Sequence, residues 1–247
     1  MSLYPRRCGR SCHCYSAVNR TGVPRIIFIT GTDTAVGKTV LTGLLLYHLR
    51  QAGCHALAMK PFCSGSRADA EFLNAIQDGE LTRDEVNPFF FAEPLAPLVA
   101  ARKHHRSICL PEVLQRIKGL ATRCQCLLIE GIGGVLVPLG EGFSVLDLIA
   151  RLGCRAILVS RNRLGTINHT LLSVSALQHA GIKRLRTVLN SSSKADHSTF
   201  SNISTLSELL DPIPIFPIPF LGRNPARLEV LKPSQKKLKK TLAQILA

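Results

Sequence analysis

No apolar run in this 247-residue chain reaches the length needed to cross a bilayer as a helix, so the sequence reads as that of a soluble protein. It shows no internal repeat and no break in composition that would mark a second folded domain. The first 24 residues lack an apolar stretch, which excludes the plan of a secretory signal peptide. Cysteine usage excludes a disulfide framework: the nine Cys are scattered and odd in number, in a chain larger than the small secreted domains that need such bonds. Cys54, Cys109, Cys124, Cys126 and Cys154 lie in or beside apolar runs and read as reduced, mostly core residues. Cys8, Cys12, His13 and Cys14 have a C-x3-C-x-C spacing that is not a usual zinc pattern, and no second ligand pair stands near them.

Acidic residues are scarce, with 16 Asp and Glu against 31 Lys and Arg and a net charge of +15. The imbalance is local. Residues 1–25 hold five Arg and no acid, and residues 223–247 hold seven Lys or Arg and one Glu. The body between them is close to balance. Basic ends can bind nucleic acid or acidic membranes, but solvated tails are the expectation, with no specific nucleic acid and no membrane as partner. Residues 1–24 read as a disordered basic extension, compatible with an organellar presequence, a leader or a start site set too far upstream. Residues 25–247 read as one domain, and 46% hydrophobic content supplies a sizeable core.

Short apolar runs alternate with longer helical periods. Strands are expected over residues 25–30, 55–60, 126–130, 156–160, 187–190 and 213–217. Helices are expected over 38–51, 69–77, 97–102, 111–123, 145–152, 167–180 and 200–210. A last amphipathic helix over 234–247 has Leu238, Leu242, Ile245 and Leu246 on one side and lysines on the other. This alternation predicts an α/β fold, a mostly parallel sheet with helices on both faces. Such sheets bind ligands beyond the carboxyl ends of their strands.

The segment Gly31-Thr32-Asp33-Thr34-Ala35-Val36-Gly37-Lys38-Thr39 follows the apolar run Ile26-Ile27-Phe28-Ile29 and precedes a helical pattern. A strand, a glycine-bearing turn and a helix in that order aim backbone N–H groups and the positive end of a helix dipole at an anion. Lys38 has the reach for the outer phosphates of a nucleotide, and the Thr39 hydroxyl can hold Mg²⁺. A Cβ at Gly37 is expected to collide with the phosphates. Five residues separate the outer glycines instead of the standard four, so this is a variant phosphate loop in a P-loop NTPase-like fold.

Other chemical positions fall at strand ends. Lys60 closes the second expected strand, before Pro61 and Ser64-Gly65. It reads equally as a cation that stabilises charge in phosphoryl transfer and as a surface lysine beside a turn. Glu130 closes a strand and precedes Gly131-Ile132-Gly133-Gly134, the usual place for a Mg²⁺ carboxylate in such a protein. Asp69 is a second metal carboxylate or an acid that suits a helix dipole. Asn87-Pro88-Phe89-Phe90-Phe91-Ala92-Glu93-Pro94-Leu95-Ala96-Pro97 walls an aliphatic pocket or forms core plus a rigid turn. Lys103-His104-His105-Arg106 reads as an exposed face.

In order along the chain, from Ile26 to about Pro225, these pieces resemble the dethiobiotin synthase family. Residues 31–39 resemble its expanded phosphate loop, and Lys60-Pro61 with Ser64-Gly65 its catalytic-lysine segment. Asn87-Pro88 with Phe91-Ala92-Glu93-Pro94 resembles its substrate-side loop, and Glu130-Gly131-Ile132-Gly133-Gly134 with Pro138-Leu139 its acidic glycine motif. Leu164-Gly165-Thr166-Ile167-Asn168-His169 and Ile218-Pro219-Phe220 with Asn224-Pro225 resemble two further blocks. The resemblance implies ATP- and Mg²⁺-dependent carboxylation of 7,8-diaminononanoate with CO₂ or bicarbonate to dethiobiotin, ADP and phosphate. It implies Lys60, Lys38 and Thr34 as catalytic residues, Ser64 as a substrate contact, and Thr39, Asp69 and Glu130 as metal positions. It implies ATP contacts at Ala35, Val36, Gly37, Lys38, Thr39, Val40, Asp69, Glu130, Gly131, Ile132, Gly133, Asn190, Ser191, Ile218, Pro219 and Phe220, with Asn190 at the adenine. It further implies a cytoplasmic homodimer in which residues 165–169 lie near the partner's substrate site. Ala96, Leu98 and Ile132 depart from the family pattern, and Cys63 beside the lysine segment points to thiol sensitivity. A partition-type ATPase that binds DNA through its basic tails is the alternative. Those proteins usually carry a second lysine near the start of the loop, where this chain reads Thr32-Asp33-Thr34.

Overall fold

The computed structural model describes residues 24–193 and 197–247. The expected extension over 1–24, with Cys8, Cys12, His13 and Cys14, lies almost wholly outside the described residues. In chain order the elements are β1 (Arg25–Gly31), α1 (Lys38–Gln51), β2 (Ala56–Met59), β3 (Phe62–Ser64), α2 (Ala68–Ile76), α3 (Arg83–Val86), β4 (Phe89–Phe91), α4 (Pro97–Lys103), α5 (Leu110–Ala121) and β5 (Cys126–Glu130). There follow β6 (Pro138–Gly140), β7 (Phe143–Ser144), α6 (Val145–Leu152), β8 (Arg155–Asn162), α7 (Thr166–His179), β9 (Leu185–Ser191), α8 (Ser198–Leu209), β10 (Ile215–Ile218) and α9 (Leu228–Leu246).

The six longer strands pair in the order β10-β9-β8-β1-β5-β2, and every pairing is parallel. The reason is in the strands themselves. They are nearly continuous apolar runs, the pattern of strands covered on both faces. Alternate residues feed opposite layers. Phe28, Leu127, Ile129 and Leu158 join one core with α5, α6 and α7, while Ile27, Ile29, Leu128 and Val159 join a second with α1 and α9. All six expected strands appear, as do the eight expected helices, with ends moved by a few residues.

Five differences stand out. The parallel pair β3–β4 and the antiparallel pair β6–β7 are additional, and α3 is a four-residue helix closed by a Thr82–Glu85 capping box. Helix α9 starts at Leu228, not after Pro233, because docking of Leu231 and the leucines beyond outweighs the one hydrogen bond that Pro233 removes. Cys109 is exposed, whereas Cys63, Cys126 and Cys154 are buried; all six described cysteines are free.

Helix α9 lies along α1, and the contact includes a buried histidine. Gln235 Nε2 donates to His48 Nδ1 at 2.8 Å. At the far end of α9, guanidiniums collect the carbonyls that a helix C-terminus leaves unpaired. Leu246 O accepts from Arg25 and, at 2.7 Å, from Arg155, and Gln244 O accepts from Arg186. Burial, then the neighbouring Arg25, Arg186 and Arg184, hold the Arg155 pKa down at about 10. Among the described residues no helix is long and apolar enough to cross a membrane.

Burial, then Lys239, lowers the His48 pKa below its ordinary 6.5. The unfolded chain therefore takes up this proton more readily than the folded one. Stability from neutral His48 is complete above pH 6.5 and declines as the pH falls from there toward the folded pKa. The melting temperature is expected to fall between about pH 7 and pH 5 by more in the wild type than in His48→Gln. Parallel thermal melts of the two proteins across that range check this; equal slopes would remove His48 as the cause.

Candidate active site

Strand β1 ends at Gly31 and α1 begins at Lys38, with residues 32–37 forming the turn between them. Two residues of this turn have positive φ, Ala35 at +56° and Gly37 at +98°. Gly37 caps α1 without a side-chain hydrogen bond, so the first N–H groups of the helix face the turn. The chain itself gives a further reason for glycine. A Cβ at Gly37 would stand 2.2 Å from Asn190 Nδ2, so an amide already obstructs it. That amide donates to Val36 O at 2.8 Å.

The strand ends beside β1 bring the remaining groups to the same rim. Lys38 Nζ donates to Asp33 O at 2.7 Å and to Gly133 O at 2.9 Å, which binds the loop to the glycine motif after β5. Burial, then repulsion from Lys60, lowers the Lys38 pKa to about 8, so it is still mostly charged at neutral pH. Glu130 is the focus of the cluster. Its Oε1 accepts from Thr39 Oγ1 at 2.7 Å and from Lys60 Nζ at 2.6 Å, while its Oε2 is buried and accepts no hydrogen bond among the described residues. Lys60 Nζ also lies 3.2 Å from Asp69 Oδ2 and donates to Gly131 O at 3.4 Å. Burial presses the Lys60 ammonium toward neutrality, but the Glu130 and Asp69 carboxylates outweigh it and hold its pKa above the ordinary lysine value. Lys60 is thus a buried, paired cation, not a surface lysine.

The backbone of Lys60 is pinned by the segment that precedes β4. Lys60 N donates to Val86 O at 2.9 Å, and Asn87 Nδ2 donates to Lys60 O at 2.8 Å and Pro61 O at 3.2 Å. The aromatic segment divides between its two sequence readings. Phe89 and Phe91 are core, with Phe89 stacked on Phe62 at 4.8 Å between ring centroids. Pro94, Leu95, Ala96 and Pro97 instead wall a cavity of about 670 Å³. Its lining also includes Thr34, Lys38, Thr39, Lys60, Ser64, Asp69, Glu130, Ile132 and Gly133. Ser64 Oγ is buried there without a hydrogen-bond partner. Cys63 lines the same cavity, but burial above all pushes its thiol up to about 12, which argues against ready thiol chemistry.

A second cavity of about 330 Å³ lies on the other side of the loop. Ala35, Val36, Gly37, Val40, Asn190, Ser191, Ile218, Pro219 and Phe220 line it. Every residue named from sequence for ATP, metal or substrate therefore borders one of two cavities that meet at the phosphate loop, save Gly131, whose carbonyl accepts from Lys60. Residues 164–169, by contrast, line neither. Sequence reading missed Arg161, which lines the smaller cavity and donates to Ala35 O. Its position just past an apolar strand run, at the carboxyl rim, was the available signal.

Parallel sheet, phosphate loop and rim cluster define a P-loop nucleotide-binding protein. A family model described as an AAA domain matches residues 25–234. Two solved structures share the fold: a ParA family ATPase from Chlorobium tepidum TLS (TM-score 0.55, 15% identity, covering 91% of this chain and 98% of that one) and the MinC:MinD cell division protein complex of Aquifex aeolicus (TM-score 0.54, 12% identity, covering 90% and 92%). The ATP-dependent dethiobiotin synthetase of Anaeromyxobacter sp. (strain Fw109-5) is 43% identical over 70% of this chain and 79% of that protein. That of Bacillus licheniformis is 37% identical over 84% and 88%, and that of Bacillus subtilis (strain 168) 35% over 84% and 90%. The chain belongs to the ATP-dependent dethiobiotin synthetase family.

Proposed function

We propose that this protein closes the ureido ring of dethiobiotin from 7,8-diaminononanoate, CO₂ and ATP. One amine adds to CO₂ and loses a proton, giving a carbamate. A carbamate oxygen attacks the γ-phosphorus and ADP leaves. The second amine then attacks the carbamoyl carbon and loses a proton, the carbon–oxygen bond to phosphate breaks, the ring closes and phosphate departs with that proton. The observation that carries this reading is the meeting of Lys60 and Thr39 on Glu130, at 2.6 and 2.7 Å, in the wall of the larger cavity, which meets the smaller one at the phosphate loop.

A carbamate is a weak anionic nucleophile, so orientation and cationic clamping supply most of the catalysis. Lys38 and Lys60 are the cations. The N–H groups of residues 35–39 and the start of α1 receive the phosphates, and the smaller cavity takes the adenosine, with Asn190 at the base. Ser64 offers an unpaired hydroxyl to the diamine acid, and Thr34 stands at the loop's exposed side of the same cavity. Thr39, Asp69 and Glu130 fit a Mg²⁺ ion: they are hard oxygen donors, and Glu130 Oε2 has no other partner. When bound, Mg²⁺ neutralises charge on the transferring phosphates.

We also read the protein as a cytoplasmic homodimer. Leu164, Leu172 and Phe200, large apolar side chains on the turn before α7, on α7 and on its neighbour α8, are 80%, 63% and 84% exposed, and exposed apolar groups of this kind support a partner. A DNA-binding partition ATPase is not favoured, since likeness at 12–15% identity carries the fold alone. Purified protein is expected to form dethiobiotin only when diaminononanoate, bicarbonate and MgATP are all present, tested by omitting each in turn. ATP hydrolysis without dethiobiotin would leave the phosphate loop standing and sink the biotin assignment.

A further inference from the structure

Two side chains hold successive carbonyls of the phosphate loop. Arg161, the second-last residue of β8, donates from Nη2 to Ala35 O, and Asn190, near the end of β9, donates from Nδ2 to Val36 O at 2.8 Å. The two acceptors belong to consecutive peptide units. In a trans peptide the C=O and N–H of one unit point in opposite directions. Holding Ala35 O therefore fixes the Val36 N–H on the side away from Arg161, and holding Val36 O fixes the Gly37 N–H on the side away from Asn190. The positive φ values of Ala35 and Gly37 are those of a chain folded into an anion-binding concavity. Such a conformation is sparsely populated by a non-glycine residue and persists when its surroundings hold it.

We propose that Arg161 is a positioning residue for phosphate binding: by holding the Ala35 carbonyl it aims the Val36 N–H at the anion, as Asn190 does for Gly37. This rests on the reading of residues 31–39 as the phosphate site. The rival explanation is direct contact with the base, because Arg161 also borders the smaller cavity. Inorganic tripolyphosphate separates the two, since it offers phosphates and no base.

The experiment measures affinity for MgADP and for magnesium tripolyphosphate in wild type, Arg161→Ala and Arg161→Lys, in low salt and in about 0.5 M salt, where a bare surface charge is screened. The Ala variant is expected to lose about tenfold toward both probes, the size of one charge-assisted hydrogen bond. The Lys variant, which keeps a donor, should recover part of both losses, and the ratio of wild type to Ala should persist in high salt. A loss confined to ADP assigns Arg161 to the base and overturns the proposal. So does unchanged affinity for both probes, a Lys variant no better than Ala, or a ratio that collapses in salt. Wild type that binds neither probe overturns the phosphate-site reading itself, and the positioning role with it.

Discussion

Lys60→Ala is expected to lower the rate of dethiobiotin formation by about a hundred- to a thousandfold, the usual effect of removing one group that stabilises transition-state charge. The loss should fall on kcat more than on the KM for ATP, because the adenosine and phosphate-loop contacts remain. The same substitution touches stability, and the two effects separate. Lys60 and Glu130 are a buried pair, with side chains 6% and 0% exposed. Removing one partner of such a pair leaves an uncompensated charge and costs about 3–5 kcal/mol. Asp69 does not share that burial: its side chain is 47% exposed and stays in water when the lysine goes. The penalty therefore resides in Glu130, and neutralising it in Lys60→Ala/Glu130→Gln should restore most of the stability while activity stays lost. Denaturant melts and product assays on the two single variants and the double variant form the cycle that isolates the coupling. A Lys60→Ala enzyme that turns over at the wild-type rate would remove Lys60 from the reaction. A double variant no more stable than Lys60→Ala would locate the stability cost outside the pair.

The strands of the central sheet were legible because each is an apolar run stopped by a polar or glycine residue, and burial on both faces leaves little else for such a run to be. The ends of those runs also marked Lys60 and Glu130, since ligands of a parallel sheet gather at its carboxyl rim. Short pairs such as Pro138–Gly140 with Phe143–Ser144 were not legible: two or three residues carry no period, and only tertiary contact selects them. Pro233 misled for a related reason, its local preference being overridden by the leucines of α9 packed against α1. The exposure of Cys109, just ahead of an amphipathic helix, depends on which way that helix faces, and one residue's hydrophobicity does not set it. Within the site, residue types were readable and contacts were not. Nothing in Asn87-Pro88 announces that the amide braces the Lys60 turn, a contact 27 residues apart in sequence. Gly37 was readable as obligatory, but its nearest obstacle lies on a strand more than 150 residues away.

That obstacle makes the second large effect divisible into parts. Gly37→Ala is expected to weaken binding of ATP, ADP and tripolyphosphate by about a hundredfold or more. One contribution is conformational: φ of +98° lies beyond the left-handed basin open to L-residues, at a cost of at least about 1–2 kcal/mol. The other is steric. The new methyl would stand 2.2 Å from Asn190 Nδ2, so amide and loop must be pushed apart, which distorts the loop and also breaks the bond to Val36 O, worth about 1 kcal/mol. Asn190→Ala in the Gly37→Ala background clears the methyl's space and relieves the push on the loop, but leaves the φ strain and the lost bond to Val36 O. It should therefore regain part, and only part, of the affinity for tripolyphosphate, a probe chosen because any loss of a base contact from Asn190 is invisible to it. Titration of the single and double variants with that probe reads the partition directly. Full recovery would show that neither strain at φ nor the bond to Val36 O contributes. No recovery would show that the methyl meets the phosphates themselves, the collision expected from sequence, and that Asn190 yields without cost.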